Sequence, residues 1–373
     1  MKPLSCLLFS LLIPLLSSAQ TTVFGSGVNG YECYRIPAII EVKRGLLIAF
    51  AEGRRSSCSD FGDVDIIYKK STDDGKIWSE MKSVVDYGNL QAGNPAPVLD
   101  LQDPRFPNGR LFLFYNTGTA SEHDVVNGKG VREVLFITSI DFGETWSSPT
   151  NITTQVHRPN EPNVNPAYNF KEDWRHFANT PGHAIQLKNG RLFVPINYSQ
   201  GDVQKGKINY HANAFYSDDH GETFQISESL DLQGSNEATA AQLSNGEVLF
   251  NARDQTEKTG KRYYARSKDN GETWYEQGID EQLTDPVCEG SLNIIRKRKG
   301  DIVLLSHLNH ERERKNLELK SSYDGGETWA KSQTIDLGSA AYSDLVVLSK
   351  KRVGVLYEKD DYQRIVFKVL AVE

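Results

Sequence analysis

Short apolar runs recur along the whole chain, each bounded by glycine, asparagine or aspartate. Residues 45–50, 110–115, 191–195, 247–250 and 301–305 are of this kind, and most follow an Asn-Gly or Lys-Gly pair such as Asn108-Gly109, Asn189-Gly190 or Asn245-Gly246. Such pairs favour tight reversals, because glycine reaches positive φ without a steric penalty. Long stretches with a 3.6-residue apolar period are missing, so the pattern predicts strands joined by hairpins and few helices.

A second pattern is superimposed on the first. The phrases STDDGKIW, SIDFGETW, SDDHGETF, SKDNGETW and SYDGGETW begin at Ser71, Ser139, Ser217, Ser267 and Ser322. Each reads Ser-x-Asp-x-Gly-x-x-aromatic and follows an apolar or alternating run such as residues 64–68 or 134–137. The aspartate can accept backbone N–H groups two residues on, the glycine permits the turn, and the terminal ring supplies apolar area for packing against neighbouring strands. Spacings of roughly 50 to 80 residues mark a repeated supersecondary unit. Many short strands in such a frame point to an all-β propeller, whose radial sheets protect their edges. Asp73-Asp74-Gly75 resembles the start of a calcium loop. It lacks the further oxygen ligands, so structural turns without metal are expected.

Composition narrows the function. The chain has 373 residues and a formal charge of −7, which argues against a general binder of nucleic acid or anionic membranes. Outside the N-terminus no run approaches the roughly 20 apolar residues of a membrane span. Lys2, the apolar run 4–16 and Ser17-Ser18-Ala19 predict a signal peptide over residues 1–19 and a periplasmic or extracellular destination. Residues 20–373 contain no Pro/Ser-rich linker and read as one domain. That domain keeps Cys33, Cys58 and Cys288, so one bridge is permitted and its pairing is left open, Cys33–Cys58 among the possibilities. No Cys-x-x-Cys pair or histidine spacing suggests zinc. Asn151 and Asn197 stand in the N-glycosylation pattern.

Tyr34-Arg35-Ile36-Pro37 followed by these turns resembles the exo-α-sialidases of bacterial and animal type, over about residues 31–358. The resemblance implies a six-bladed β-propeller with its site near the central axis. It also implies a retaining glycosidase that removes terminal sialic acid from glycoproteins, glycolipids or oligosaccharides, without a cofactor. By the same resemblance Arg35, Arg253 and Arg314 hold the substrate carboxylate, with Arg312 a neighbouring alternative to Arg314, and Glu358 orients Arg35. Guanidinium suits that task, being charged at working pH and presenting a fork of donors.

Tyr342 is implied as nucleophile and Glu237 as its base. The anomeric carbon of sialic acid bears a carboxylate, which would repel an anionic nucleophile, whereas a neutral phenol avoids the repulsion; sialidases are a recognised tyrosine-using exception among glycosidases. The positive clamp is expected to favour phenolate character. Asp60 is implied as the acid that protonates the leaving oxygen and then activates water, with Asp63 and Asp65 as rivals on the same segment. Arg54 and Asn94 are implied contacts near the sugar 4-hydroxyl, and residues 181–185 are expected to border the glycerol or N-acetyl pocket. Transfer to an acceptor sugar, or internal attack giving an anhydro sugar, would use the same residues. A non-catalytic glycan-binding propeller is the rival from another class.

Overall fold

A computed structural model describes residues 20–373; the expected export signal lies outside the described residues. The chain is all-β, and its strands pair antiparallel in six successive groups. The first comprises Cys33–Lys43, Leu46–Arg54, Val64–Ser71 and Lys82–Val85. The second comprises Gln91–Asp100, Arg110–Gly118, Arg132–Ser139 and Thr150–Asn151. In the third, Trp174–Asn179 and Ile185–Gln186 both pair with Leu192–Gln200, which is followed by Tyr210–Ser217 and Gln225–Ile226. The fourth comprises Ser235–Gln242, Val248–Asp254, Lys261–Ser267 and Glu276–Thr284. Ser291–Lys297, Gly300–Leu308, Lys315–Ser322 and the first half of Lys331–Ser349 form the fifth. The second half of that long strand opens the sixth, with Arg352–Lys359, Arg364–Ala371 and, from the start of the chain, Thr21–Gly25.

The apolar runs read from sequence become the second strands of the first five groups, and the glycine pairs become the turns leading into them. The five serine–aspartate phrases all link a third strand to a fourth. The sixth group has no such phrase because its third and fourth strands come from opposite ends of the described chain.

These turns close differently from the expected two-residue reach. In the fourth copy the Ser267 hydroxyl donates to Asp269 at 2.6 Å and accepts Gly271 N–H at 2.8 Å. The Asp269 carboxylate accepts N–H groups three and four residues on, from Glu272 at 3.1 Å and Thr273 at 3.0 Å. One carboxylate therefore satisfies two backbone donors that would otherwise need water.

The turns also reach beyond their own group. Gly143 of the second group lies against Ile48 of the first, Gly221 against Phe112, Gly271 against Phe193, and Gly326 against Leu249. Gly75 of the first group lies against Phe367 of the sixth. At Gly271 a Cβ would collide with the Phe193 ring, and φ is +85°, so glycine is required twice over. Trp146 and Trp78 follow the same rule, packing on Phe50 and Phe367. Each turn thus wedges its group onto the preceding one.

The buried core is distributed accordingly. Of six apolar clusters, one joins the fifth and sixth groups with Ile36 of the first, and the other five each combine two neighbouring groups. One of them joins Tyr34, Ile39 and Ile67 to Leu356, Ile365 and Phe367, which are first- and sixth-group residues. Full burial of side chains such as Phe193 or Leu356 stabilises by about 1.5–3 kcal/mol each, so every group depends on both neighbours. Cys33 and Cys58 form a disulfide, and Cys288 is free and buried. Asn151 is exposed, whereas Asn197 is only 1% exposed and inaccessible to glycosylation in the fold.

Candidate active site

The first strand of five groups breaks register near its beginning. The shifts fall between Arg35 and Ala38, Gly93 and Ala96, Trp174 and Phe177, Ser235 and Ala238, and Ala340 and Ser343. An extra residue on one strand bends it and turns side chains out of the ladder. Arg35, Asn94, His176, Glu237 and Tyr342 all lie within or at the edge of these shifts. Ser291–Lys297 pairs without a shift and contributes none of the expected site residues.

Ile36 has φ 58°, a conformation that a β-branched residue before proline strongly disfavours. It is held there by its N–H, which donates to Glu358 at 2.9 Å. Strain of this kind persists only where surrounding contacts over-determine the backbone.

The same carboxylate orients Arg35. Glu358 is fully buried, accepts Arg35 Nε at 2.6 Å and accepts Tyr342 N–H at 3.2 Å. One glutamate therefore fixes the expected clamp and nucleophile strand together. Arg35 lies 5.3 Å from the centre of the Tyr342 ring, and Arg314 lies 5.5 Å from it. Arg253 Nη1 reaches the Tyr342 hydroxyl at 3.1 Å. All three expected arginines thus meet around one phenol, and Arg312 is exposed on the preceding loop. Arg314 bonds the Tyr362 hydroxyl and the Val287 carbonyl, and has no carboxylate partner among the described residues.

The Tyr342 hydroxyl donates towards both oxygens of Glu237, at 2.6 and 2.8 Å, and Arg253 pairs with the same carboxylate at 2.7 Å. Burial pushes the phenol well above its ordinary value, Arg253 opposes and Glu237 reinforces, so the resting group is protonated. The expected phenolate character is not present: desolvation outweighs the nearby cations.

Asp60 is reached from a loop. Its carboxylate accepts Arg54 Nη1 at 2.8 Å and lies 3.7 Å from Arg35. The Asp60 side chain is 80% exposed at the mouth of the site; the partial desolvation it meets there is overcome by Arg54 and then Arg35, and the net direction of its pKa is down. The rivals point elsewhere: buried Asp65 accepts Tyr31 and Arg55, and Asp63 pairs with Arg55. Arg54 is backed by Glu52 at 2.7 Å, and Glu52 also accepts the Asn94 N–H at 2.8 Å. Both expected secondary contacts therefore rest on one carboxylate that sequence reading overlooked, although it stands two residues before Arg54.

Asp60, Arg54, Asn94, Glu237, Arg253 and Tyr342 line a cavity of about 340 Å³. Its far wall was not anticipated: Asn116, Glu122, Arg132, His176 and Asn197. Both amide atoms of Asn197 are buried without a partner, as is His176 Nδ1, which leaves donors and acceptors for a hydroxyl-rich ligand. Burial lowers the His176 pKa against the pull of Glu122, favouring neutral imidazole. Residues 181–185 do not border this cavity. His183, Ala184 and Ile185 line a separate one with Glu41, Leu99 and Arg296, because the chain has by then passed the site. Tyr362, 4.2 Å from Arg35 and bonded to Arg314, was also unanticipated; it lines a neighbouring cavity with Arg314 and Glu358.

Known proteins resemble this chain along most of its length. Residues 45–355 match the family described as BNR repeat-like domain. Similar proteins include a sialidase of Bacteroides fragilis, 27% identical over 89% of this chain and 61% of that protein. A sialidase of Micromonospora viridifaciens is 30% identical over 89% of this chain and 51% of that protein. This chain therefore spans only about half to three-fifths of those relatives. The solved structure of Hadza microbial sialidase Hz136 superposes with TM-score 0.79 at 26% identity, covering 95% of this chain and 68% of that one. The fold and its converging arginines define a repeat-built β protein with a cationic cluster around one buried phenol. The chain belongs to the BNR repeat-like domain family, and the relatives that it resembles over most of its length are sialidases.

Proposed function

We propose that this protein is a retaining exo-α-sialidase acting on terminal sialic acid of glycoconjugates through a covalent tyrosyl intermediate. The observation that carries the reading is the Tyr342 hydroxyl donating to Glu237 while Arg35, Arg253 and Arg314 surround its ring. Arg314, lacking a carboxylate of its own, takes the sugar carboxylate together with Arg35 and Arg253. The anomeric carbon then sits over the phenol oxygen. Glu237 removes the phenol proton as the Tyr342–carbon bond forms and the bond to the leaving oxygen breaks. A neutral buried phenol suits this timing, since negative charge develops only as the base acts.

Asp60 supplies the leaving oxygen with a proton. In the free site Arg54 and Arg35 hold it ionised. A bound carboxylate cancels part of that cationic field, and a bound sugar covers the otherwise exposed Asp60; both effects favour its protonated form. In the second half Asp60 takes a proton from water as the water attacks, and Glu237 returns the first proton to Tyr342. The polar wall of Asn197, His176 and Glu122 faces the hydroxyl-bearing substituents of the sugar.

The six strand groups serve as six blades of a single catalytic propeller spanning residues 20–373. The cluster between the first and sixth groups and the seating of Gly75 on Phe367 support that reading. Export to the periplasm or beyond is supported by the N-terminal pattern and by the Cys33–Cys58 bridge, a bond that persists in oxidising compartments. Incubating the purified chain with a fluorogenic α-sialoside, beside fluorogenic neutral glycosides, tests the activity. Release from the sialoside alone is expected; no release, or release from the neutral glycosides instead, would overturn it.

A further inference from the structure

The loop that delivers Asp60 has almost no structure of its own. Between Arg54 and Val64, where paired strands end and resume, its backbone makes one inter-residue closure at its base, Arg55 N–H to Asp63 O at 3.1 Å. Within it, Ser57 and Ser59 make local turns only. Besides the longer contacts of Arg35 with Asp60 at 3.7 Å and of Arg132 with the Phe61 ring at 5.6 Å, two close attachments tie its tip to the body of the protein beside the clamp. One is Arg54 Nη1, which donates to the Cys58 carbonyl at 2.6 Å and to Asp60 at 2.8 Å. The other is the Cys33–Cys58 bond.

Both ends of that bond are placed pointedly. Cys33 opens the strand that carries Arg35 two residues later, and its cross-strand partner is Arg54. Cys58 precedes Asp60 by two residues. Cys33 is completely buried, whereas Cys58 is exposed with the loop. The bridge therefore joins the arginine that binds the substrate carboxylate to the acid that protonates the leaving oxygen, through two residues on each side.

We propose that Cys33 and Cys58 are positioning residues for the acid step: their bridge sets where Asp60 stands relative to Arg35. The argument rests on the sialidase reading and on Asp60 as its acid. Without the bridge the loop keeps its closure at the base, and the strands on either side stay paired. What changes is the number of positions open to its tip, and displacement of a catalytic group by about 1 Å can cost on the order of 100-fold in rate. Without the bridge only Arg54 and, at longer range, Arg35 hold Asp60, by charge, a restraint that also favours the ionised form.

A leaving-group comparison separates positioning from general damage. An aryl sialoside departs as a stabilised phenolate and needs little protonation, whereas 3′-sialyllactose departs as an alkoxide and depends on the acid. The double variant Cys33→Ser/Cys58→Ser removes the bridge without leaving a free thiol from the pair. Its kcat/KM on sialyllactose, which reports the step that needs the acid, is expected to fall about tenfold, with kcat/KM on 4-methylumbelliferyl sialoside within about twofold of the parent. Affinity for an unsaturated sialic acid analogue should be unchanged, because Arg253 and Arg314 do not depend on the loop.

Equal losses on both substrates, or no loss on either, overturn the inference. Should the double variant fail to fold, the intact protein is treated with a phosphine reductant, cleavage at exposed Cys58 is verified by thiol alkylation, and the same ratio is measured. A ratio that stays at the parent value after verified cleavage overturns the inference. Asp60→Ala serves as the control. If it spares sialyllactose turnover, the acid assignment itself is wrong. If it shows the leaving-group dependence and the bridge variants do not, only the positioning claim fails.

Discussion

Tyr342 illustrates how burial and charge compete over a single atom. Its hydroxyl is surrounded by arginines, yet it stays protonated, because removing a phenolate from water costs more than the nearby cations return. The proposed chemistry accordingly places the base within reach instead of storing the anion. Tyr342→Phe retains the ring that Arg35 and Arg314 face and removes only the oxygen. Turnover of a fluorogenic sialoside should fall by at least about 1,000-fold, with the far-ultraviolet dichroism unchanged; near-parent turnover would exclude Tyr342 as nucleophile. Tyr342, Glu237, Asp60 and the arginines were legible because their sequence context resembles a known constellation. Tyr362, His176 and Asn197 were not, because nothing beside them in sequence marks them, and the second partner of Glu52, the Asn94 N–H, is 42 residues away. A buried asparagine with a vacant amide looks like any surface asparagine until the cavity is formed.

At the scale of elements, local chemistry proved the better guide. Asn-Gly turns and Ser-x-Asp-x-Gly turns are closed by their own residues, so sequence placed them correctly and predicted the strands between them. It did not reveal that the glycines seat each turn on the preceding group, since that contact is set by packing. Nor did it reveal the register shifts that aim Arg35, Glu237 and Tyr342, because a bulge depends on both strands of a pair.

The turn carboxylates also carry a pH signature. Burial works against ionisation of Asp324, but the Thr328 hydroxyl, the Ser322 hydroxyl and the Thr328 N–H prevail and hold it at about 2. A folded pKa below the unfolded value of about 3.9 gives stability that is present above that value and is lost as pH falls through the folded one. Thermal melts should therefore weaken between about pH 4 and pH 2. Asp324→Asn should show a shallower decline over that interval, and an identical slope would remove this turn from the cause.

Across the whole molecule, the sixth group is completed by residues from the other end of the chain. Val23 and Phe24 are each 2% exposed, and Thr21–Gly25 covers the edge of Arg364–Ala371. Deleting residues 20–25 uncovers that edge together with the apolar surface beneath it. The melting temperature should drop by about 5 °C or more, and light scattering should report self-association through the freed edge. An unchanged melting temperature and a monomeric product would show that the strand is dispensable.

The bond between Arg35 and Glu358 spans 323 positions of sequence. A chain still being made, or one cut short before that glutamate, holds an unoriented arginine and a phenol without its anchor. The proposed catalysis should therefore switch on late and all at once, and its appearance during refolding would time the docking of the segment that carries Glu358.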